Sequence, residues 1–322
     1  MIRSVAITGA TGFIGRHVAA ALVSRGVRVT SIVRPGSRHT APPETKVVSA
    51  PLDAAALGEA FAGIDTVVHL AGVVAAVDAR TFAAVNAEGT RAVATAARDA
   101  GARLVHVSSL AAAGPAPETA PHREGDAPHP VTPYGASKLL SEQIVEATAG
   151  LRWIILRPGV VYGPTDRAVF PLFQAAGRGM LPLVGRRGAA YTFIYVDDMV
   201  QTIVAAVERT GAAGTVFVGH PVPVGSRDLL DAIQAAIGRK ARVIPVPMAL
   251  TYVAAVAADV AGRVLRTPMP LNLWRYAELA AEGFVCRVDR MRDELGVTAS
   301  VSLIDGMART AAWYREAGWL TR

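Results

Sequence analysis

The chain has 322 residues, 52% of them hydrophobic and 18% charged, and 33 Lys and Arg against 26 Asp and Glu give a formal net charge of +7. This composition excludes a disordered chain and allows one large domain or two modest ones. The positive surplus favours anionic ligands or acidic membrane surfaces, and without a basic run or interleaved aromatics it excludes nucleic acid as an expected partner.

The first strand, Ser4–Thr8, begins almost at Met1, which leaves no room for a signal peptide and sets the expectation of a cytoplasmic protein. Gly9-Ala-Thr-Gly12-Phe-Ile-Gly15 follows directly, and residues 16–25 read as a helix. Strand, glycine turn and helix form the context in which such a motif binds a dinucleotide. Gly9 permits the tight turn, Gly12 lets backbone N–H groups approach a pyrophosphate, and Gly15 lets the helix pack closely. The helix N-terminus then faces the anion.

Further strands are predicted at 27–33, 46–49, 66–70, 104–107 and 153–156, with helices between them that include 80–100 and 134–148. The alternation predicts an α/β fold, a Rossmann-type doubly wound parallel sheet with right-handed crossovers. The strand at 104–107 ends in Ser108-Ser109, at the carboxyl edge where ligand chemistry sits in open α/β sheets. Residues 114–133 are rich in Pro, His, Glu and Asp without apolar periodicity, and read either as a solvated connection or as a lid over the site.

Tyr134-Gly-Ala-Ser-Lys138 places a phenol and an ammonium one helical turn apart on a shared face. A free tyrosine titrates near ~10. The neighbouring cation is expected to lower that value, so that the phenol can exchange a proton with a substrate oxygen. Alone, such a pair is usually a surface tyrosine beside a solvated lysine, and a serine pair is usually a strand-end turn. The order of all three features is what gives them weight.

In that order the chain resembles the extended short-chain dehydrogenase/reductase family, over nearly its whole length. Matching stretches are His69-Leu-Ala-Gly72, Asn86-Ala-Glu-Gly-Thr90, Leu156-Arg-Pro-Gly-Val-Val-Tyr-Gly-Pro164, Phe193-Ile-Tyr-Val-Asp-Asp198 and the tail from Asp293 to Trp319. The resemblance implies a catalytic set of Ser109, Tyr134 and Lys138. Ser109 is chosen over Ser108 because the family counts its hydroxyl five residues before the glycine at 114. Beyond Gly9, Gly12 and Gly15 it implies cofactor contacts at Thr11, Phe13, Ile14, Arg34, Leu52, Asp53, Leu70, Ala71, Gly72, Tyr134, Lys138, Pro158 and Val160. It also implies a dinucleotide-binding domain over 1–162, and a smaller, mostly helical substrate-binding region over 163–322 that lends a strand near 215–218 back to the sheet. A homodimer through the helices at 80–100 and 134–148 is expected on the same ground.

The second strand ends in Arg34-Pro-Gly-Ser37-Arg38, without the carboxylate that would bind the ribose hydroxyls of NAD. Arg34 can instead offer its fork of donors to a 2′-phosphate, so NADP is the expected cofactor, with NAD the alternative if Arg34 is merely solvated. Pro51 stands where the family often has an adenine-binding Asp and Asp53 is displaced, which leaves apolar packing to hold the adenine.

Members of the family share hydride transfer at a carbinol or carbonyl carbon. Leu110 and Ala111 occupy the positions of a dehydratase acid–base pair and cannot transfer protons, so dehydration is not expected. A nucleotide-sugar epimerase would need partners for a diphosphate, yet Arg157-Pro-Gly-Val replaces the usual Asn stretch and Tyr191 the usual Arg, leaving Arg178, Arg186 or Arg187 as substitutes. The expected reaction is therefore reversible oxidation of a secondary alcohol, or reduction of a ketone, on an apolar, hydroxysteroid-like small molecule. Epimerisation is the alternative, and a non-catalytic dinucleotide sensor a minor one. Asn86 either orders a proton path or ties backbone between strands.

Cys286 in Phe-Val-Cys-Arg-Val reads as a buried thiol, and the scattered histidines give no metal site. No uncharged apolar run of 18 residues occurs, so no spanning helix is expected. The nearest case, 248–260, is interrupted by Asp259 and followed by Arg263 and Arg266; it reads as a substrate-domain helix or as a surface that dips into a membrane.

Overall fold

Seven strands form one parallel sheet in the computed structural model, which describes residues 2–320. The first part of the chain alternates β1 (Ser4–Thr8), α1 (Phe13–Val23), β2 (Arg28–Val33), β3 (Lys46–Ser49), α2 (Ala54–Phe61), β4 (Thr66–His69), α3 (Ala79–Phe82), α4 (Gly89–Asp99), β5 (Arg103–Val107), α5 (Pro133–Ala147) and β6 (Trp153–Pro158). The rest comprises β7 (Val160–Tyr162), α6 (Phe170–Gly177), β8 (Met180–Leu183), β9 (Ala190–Tyr191), β10 (Phe193–Tyr195), α7 (Val196–Glu208), β11 (Gly214–Val218), β12 (Val224–Gly225), α8 (Ser226–Ile237), β13 (Arg242–Pro245), α9 (Met248–Leu265), α10 (Leu273–Ala280), β14 (Gly283–Phe284), α11 (Asp289–Leu295) and α12 (Leu303–Glu316).

The sheet order is β11-β6-β5-β4-β1-β2-β3, with every pairing parallel. Successive side chains of a strand point to opposite faces, so a parallel sheet covered on both sides needs apolar residues at every position. Val5, Ile7, Val105, Ile154 and Leu156 enter one core with α1 and α7. Ala6, Val67, Leu104 and Ile155 enter a second with α2 and α4. β11 adds to the edge beside β6, from the C-terminal part of the chain. Arg103, buried at the start of β5, donates to the Ala206 and Ala212 carbonyls; cationic donors suit these acceptors at the end of α7.

The helix expected over 80–100 runs without interruption from Ala79 to Asp99, but its winding changes within it. Between α3 and α4, Ala83–Glu88 winds as a wider π turn. The turn carries Asn86 inward, where its Oδ1 accepts from the Val73 N–H at 2.8 Å and its Nδ2 donates to the Val73 carbonyl and to Ser137 Oγ, each at 3.0 Å. Both amide hydrogens are thereby committed, which favours the backbone-tying role. Residues 114–132 contain no helix, and apart from single parallel bridges from Ala116 to Phe284 and from His122 to Cys286 no strand, but are laced to the C-terminal region. The Ala116 N–H donates to Gly283 at 2.9 Å, the His122 N–H to Val285 at 2.9 Å, and the Arg287 N–H to His122 at 2.8 Å.

The apolar stretch at 248–260 extends to Leu265. The resulting helix, α9, has 18 residues and a mean hydropathy of 1.5, which by length and composition is enough to cross a membrane. Asp259 does not interrupt it, because its carboxylate pairs with Arg263 one turn on at 2.7 Å.

Candidate active site

The glycine turn is shaped by close backbone contacts. Gly9 has φ +76, and a Cβ there would sit 2.7 Å from the Ala71 nitrogen, so the turn lies against Leu70 and Ala71 at the end of β4. A Cβ on Gly15 would sit 2.2 Å from the Gly9 carbonyl oxygen. Gly12 caps α1 without a side chain, which leaves the first-turn N–H groups of Phe13 and Ile14 without a side-chain acceptor. This cradle fits the pyrophosphate of a dinucleotide. Thr11 lies within the turn, its carbonyl accepting from Arg16 Nε at 2.9 Å. Gly72 abuts Asn86, and Leu52 packs on Gly89. Asp53 caps α2, accepting from the Ala55 and Ala56 N–H groups at 3.0 and 3.2 Å. Arg34 and Arg38 are exposed beyond β2, and Pro158 and Val160 bracket the passage from β6 to β7.

Tyr134 is delivered by the start of α5. Pro133 occupies the first turn, and the Thr132 hydroxyl accepts from the Gly135 N–H at 3.1 Å. A Cβ on Gly135 would meet the Ala111 carbonyl oxygen at 2.4 Å, so only glycine lets α5 lie this close to the turn after Ser109. Across that contact the Ser109 side chain lies beside the Tyr134 phenol, and Ser109 Oγ accepts from the Ala111 N–H at 3.2 Å. Lys138 Nζ donates to the Val107 carbonyl at 2.8 Å. The three residues implied by the resemblance thus converge.

The expected acidity of Tyr134 is corrected. Burial pushes the phenol above its ordinary value; the nearby Ser109 hydroxyl opposes this, and the Glu278 carboxylate adds to it. Burial also pushes Lys138 down to about 8, against the pull of Glu142. Loss of water prevails, and the buried Lys138 ammonium is turned to a backbone carbonyl rather than to the phenol. Tyr134 is a protonated donor at neutral pH.

Around this set the polar groups are tightly paired. His69 bridges Thr8 Oγ1 at 2.6 Å and Thr90 Oγ1 at 2.9 Å, and His106 contacts Ser141 Oγ at 2.9 Å, with the two rings stacked at 5.3 Å. Burial takes His69 down to about 3 and His106 well below its usual value, so both are neutral. Beneath the strand end, Glu142 accepts from Ser108 and from Arg157, whose Nη2 lies 2.6 Å from Oε2, and the Arg157 guanidinium lies over the Phe217 ring.

On the substrate side Tyr134 faces aromatics. Phe82 lies 6.0 Å from the tyrosine ring and Trp274 lies 5.7 Å from Phe82, centroid to centroid. A cleft of about 400 Å3 opens between residues 115–131 and α10, lined by Pro115, Pro117, Val131, Ala277 and Ala280 among others. A larger cavity of about 520 Å3 lies between Tyr195, Val222 and Ile304, and neither it nor the cleft is lined by Ser109, Tyr134 or Lys138. Arg186 pairs with Glu282 at 3.0 Å and Arg275 with Glu278 at 2.9 Å. Tyr191 stacks on Phe284, and its hydroxyl is buried without a hydrogen-bond partner. Cys286 is buried, and burial raises its thiol to about 12, which excludes a nucleophile. No cluster of metal-ligating side chains occurs among the described residues.

Phe82, Trp274 and the Glu142–Arg157 pair were missed by sequence reasoning. Glu142 could have been found, since it follows Lys138 at helical spacing; Trp274 is too remote along the chain to carry a signal.

The model of the NAD dependent epimerase/dehydratase family matches residues 5–219. The chain belongs to this family. A ceramide reductase from Caulobacter vibrioides (strain NA1000 / CB15N) is 34% identical, with 99% of this chain and 96% of that protein aligned. A 4-hydroxy-2-methyl-3-oxo-4-farnesyl-3,4-dihydroquinoline-1-oxide ketoreductase from Stigmatella aurantiaca is 29% identical, covering 94% of this chain and 93% of its own length. Among solved structures, a UDP-glucose 4-epimerase from Thermotoga maritima shares the fold at a TM-score of 0.80 and 21% identity, over 98% of this chain and 99% of that one. This extended short-chain dehydrogenase/reductase is an NAD-dependent enzyme of the redox or epimerase type.

Proposed function

We propose that this enzyme reduces a ketone on an apolar, lipid-like substrate, and oxidises the corresponding alcohol in reverse. The observation that carries the reading is the Tyr134–Phe82–Trp274 ladder, in which the phenol packs on the buried Phe82 ring and Trp274 packs on Phe82, so the surroundings of the proton donor are aromatic rather than cationic. When bound, the nicotinamide dinucleotide supplies or accepts hydride. Ser109 orients the substrate oxygen by a hydrogen bond. Tyr134, protonated at neutral pH, donates its proton to the oxygen as the carbonyl becomes a carbinol, and Lys138 holds the cofactor ribose and its charge near the phenol. The reductase names of the two relatives support the same direction.

Epimerisation is the second reading, favoured by the fold of the solved epimerases. Against it stand Tyr191 in place of a cation and the engagement of Arg186 and Arg275 with carboxylates. For the cofactor we infer NADP preference, supported by the exposed Arg34 and Arg38 at the end of β2. A homodimer through α4 and α5 is supported by Leu140, exposed on α5, and peripheral contact with a membrane by the apolar surface of α9.

The test is turnover of long-chain ketones with NADPH and NADH, beside UDP-glucose as epimerase substrate. Ketone reduction faster with NADPH, and a preference weakened about tenfold or more in Arg34→Ala, is the expected result. UDP-glucose turnover without ketone reduction would replace this reading with the second.

A further inference from the structure

α9 wears its apolar residues on the outside. Thr251, Ala255 and Gly262, all small, are the residues it buries. Leu250, Val253, Val260, Val264 and Leu265 are each between 57% and 76% exposed. A helix that merely completes a core shows the reverse arrangement. The apolar surface continues into the preceding strand, where Ile244 is exposed, and a run of large exposed side chains of this kind marks an interaction site.

Its charge points to one partner. From Arg239 to Arg266 the segment carries Arg239, Lys240, Arg242, Arg263 and Arg266 against a single carboxylate, Asp259, which is neutralised by Arg263. The cations therefore flank the apolar stripe at both ends. Apolar side chains at the centre and arginines at the margins suit an acyl layer beneath anionic headgroups. A second copy of this chain would bring the same cations against each other.

We propose that α9 lies in the plane of an anionic lipid surface and opens the active site toward it. Resting on the apolar-substrate reading above, this adds where the substrate comes from. α9 packs directly on α10, with the Tyr252 and Tyr276 rings 5.2 Å apart. α10 in turn carries Trp274 against Phe82, which packs on Tyr134. A lipid rising from under α9 meets that ladder first. The helix, roughly 27 Å long, lies on the membrane rather than across it, because Thr251, Ala255 and Gly262 tie it to the protein near both ends and at its middle.

The test is sedimentation of the full chain with vesicles of phosphatidylcholine, with and without phosphatidylglycerol. The wild type should sediment with the anionic vesicles and be released by salt. Val253→Asp/Val260→Asp should abolish binding, and Lys240→Ala/Arg242→Ala should weaken it about thirtyfold. Both variants should keep the wild-type melting temperature and turnover of a short water-soluble ketone. Absence of wild-type binding, binding unmoved by the aspartates, or a solution dimer dissolved by them would each overturn the proposal. The vesicle readout needs no turnover, so failure of the ketone reading would be seen separately.

Discussion

The central sheet and the α9–α10 segment treat apolar side chains in opposite ways. In β1, β4 and β5 every residue is buried, and helices cover both faces of the sheet. In the C-terminal region α10 buries no residue completely, and α9 buries three small ones. The first region, closed by its own helices together with α7 and β11, has a filled core on both faces of the sheet. The second leaves the apolar side chains of α9 open to a partner.

The strongest way to break this division is to disarm the phenol. Tyr134→Phe should lower ketone reduction roughly 10²–10⁴-fold while cofactor affinity, read by quenching of protein fluorescence, stays nearly constant. Near-normal turnover would move the proton donor out of the cofactor region. Glu142→Gln probes whether that region is as closed to water as its packing suggests. It leaves the Arg157 guanidinium buried without a full counter-charge, and should cost about 3–5 kcal/mol in denaturant unfolding. An unchanged midpoint would mean that water reaches the pair.

Gly135→Ala sharpens the comparison more gently. A methyl group there would meet the Ala111 carbonyl at 2.4 Å and push α5 from the turn after Ser109. A displacement of this order should cost roughly 10²-fold in kcat/KM, with secondary structure by circular dichroism preserved. Equal activity would show that α5 can shift without moving Tyr134.

The smallest effect concerns pH. Burial depresses Lys138 to about 8, so its ammonium is present below that value and lost above it. Cofactor affinity should fall severalfold between pH ~7 and ~9, while Tyr134, shifted upward, stays protonated. A flat affinity profile would deny Lys138 an electrostatic role. Folding has the opposite sign. Between about 8 and the ordinary lysine value of 10.5 the unfolded chain binds a proton that the folded chain does not, so the Lys138 contribution raises stability as pH rises there.

The sequence by itself determined the sheet, the glycine cradle and the positions of Ser109, Tyr134 and Lys138. Strand period, turn residues and helical spacing act over a few neighbours, and the chain order of the motifs was enough to imply the family. Tertiary structure alone decided the rest. The acidity of Tyr134 was read with the wrong sign because charge spacing is visible in a sequence and loss of water is not. The π turn at Ala83–Glu88 forms around bonds from Asn86 to Val73 and Ser137, which no local pattern announces. The Trp274–Phe82–Tyr134 ladder joins residues remote along the chain, and the outward face of α9 depended on which of its stripes found a partner. Helix and strand follow from local chemistry; burial, and with it acidity and recognition, is a property of the assembled fold.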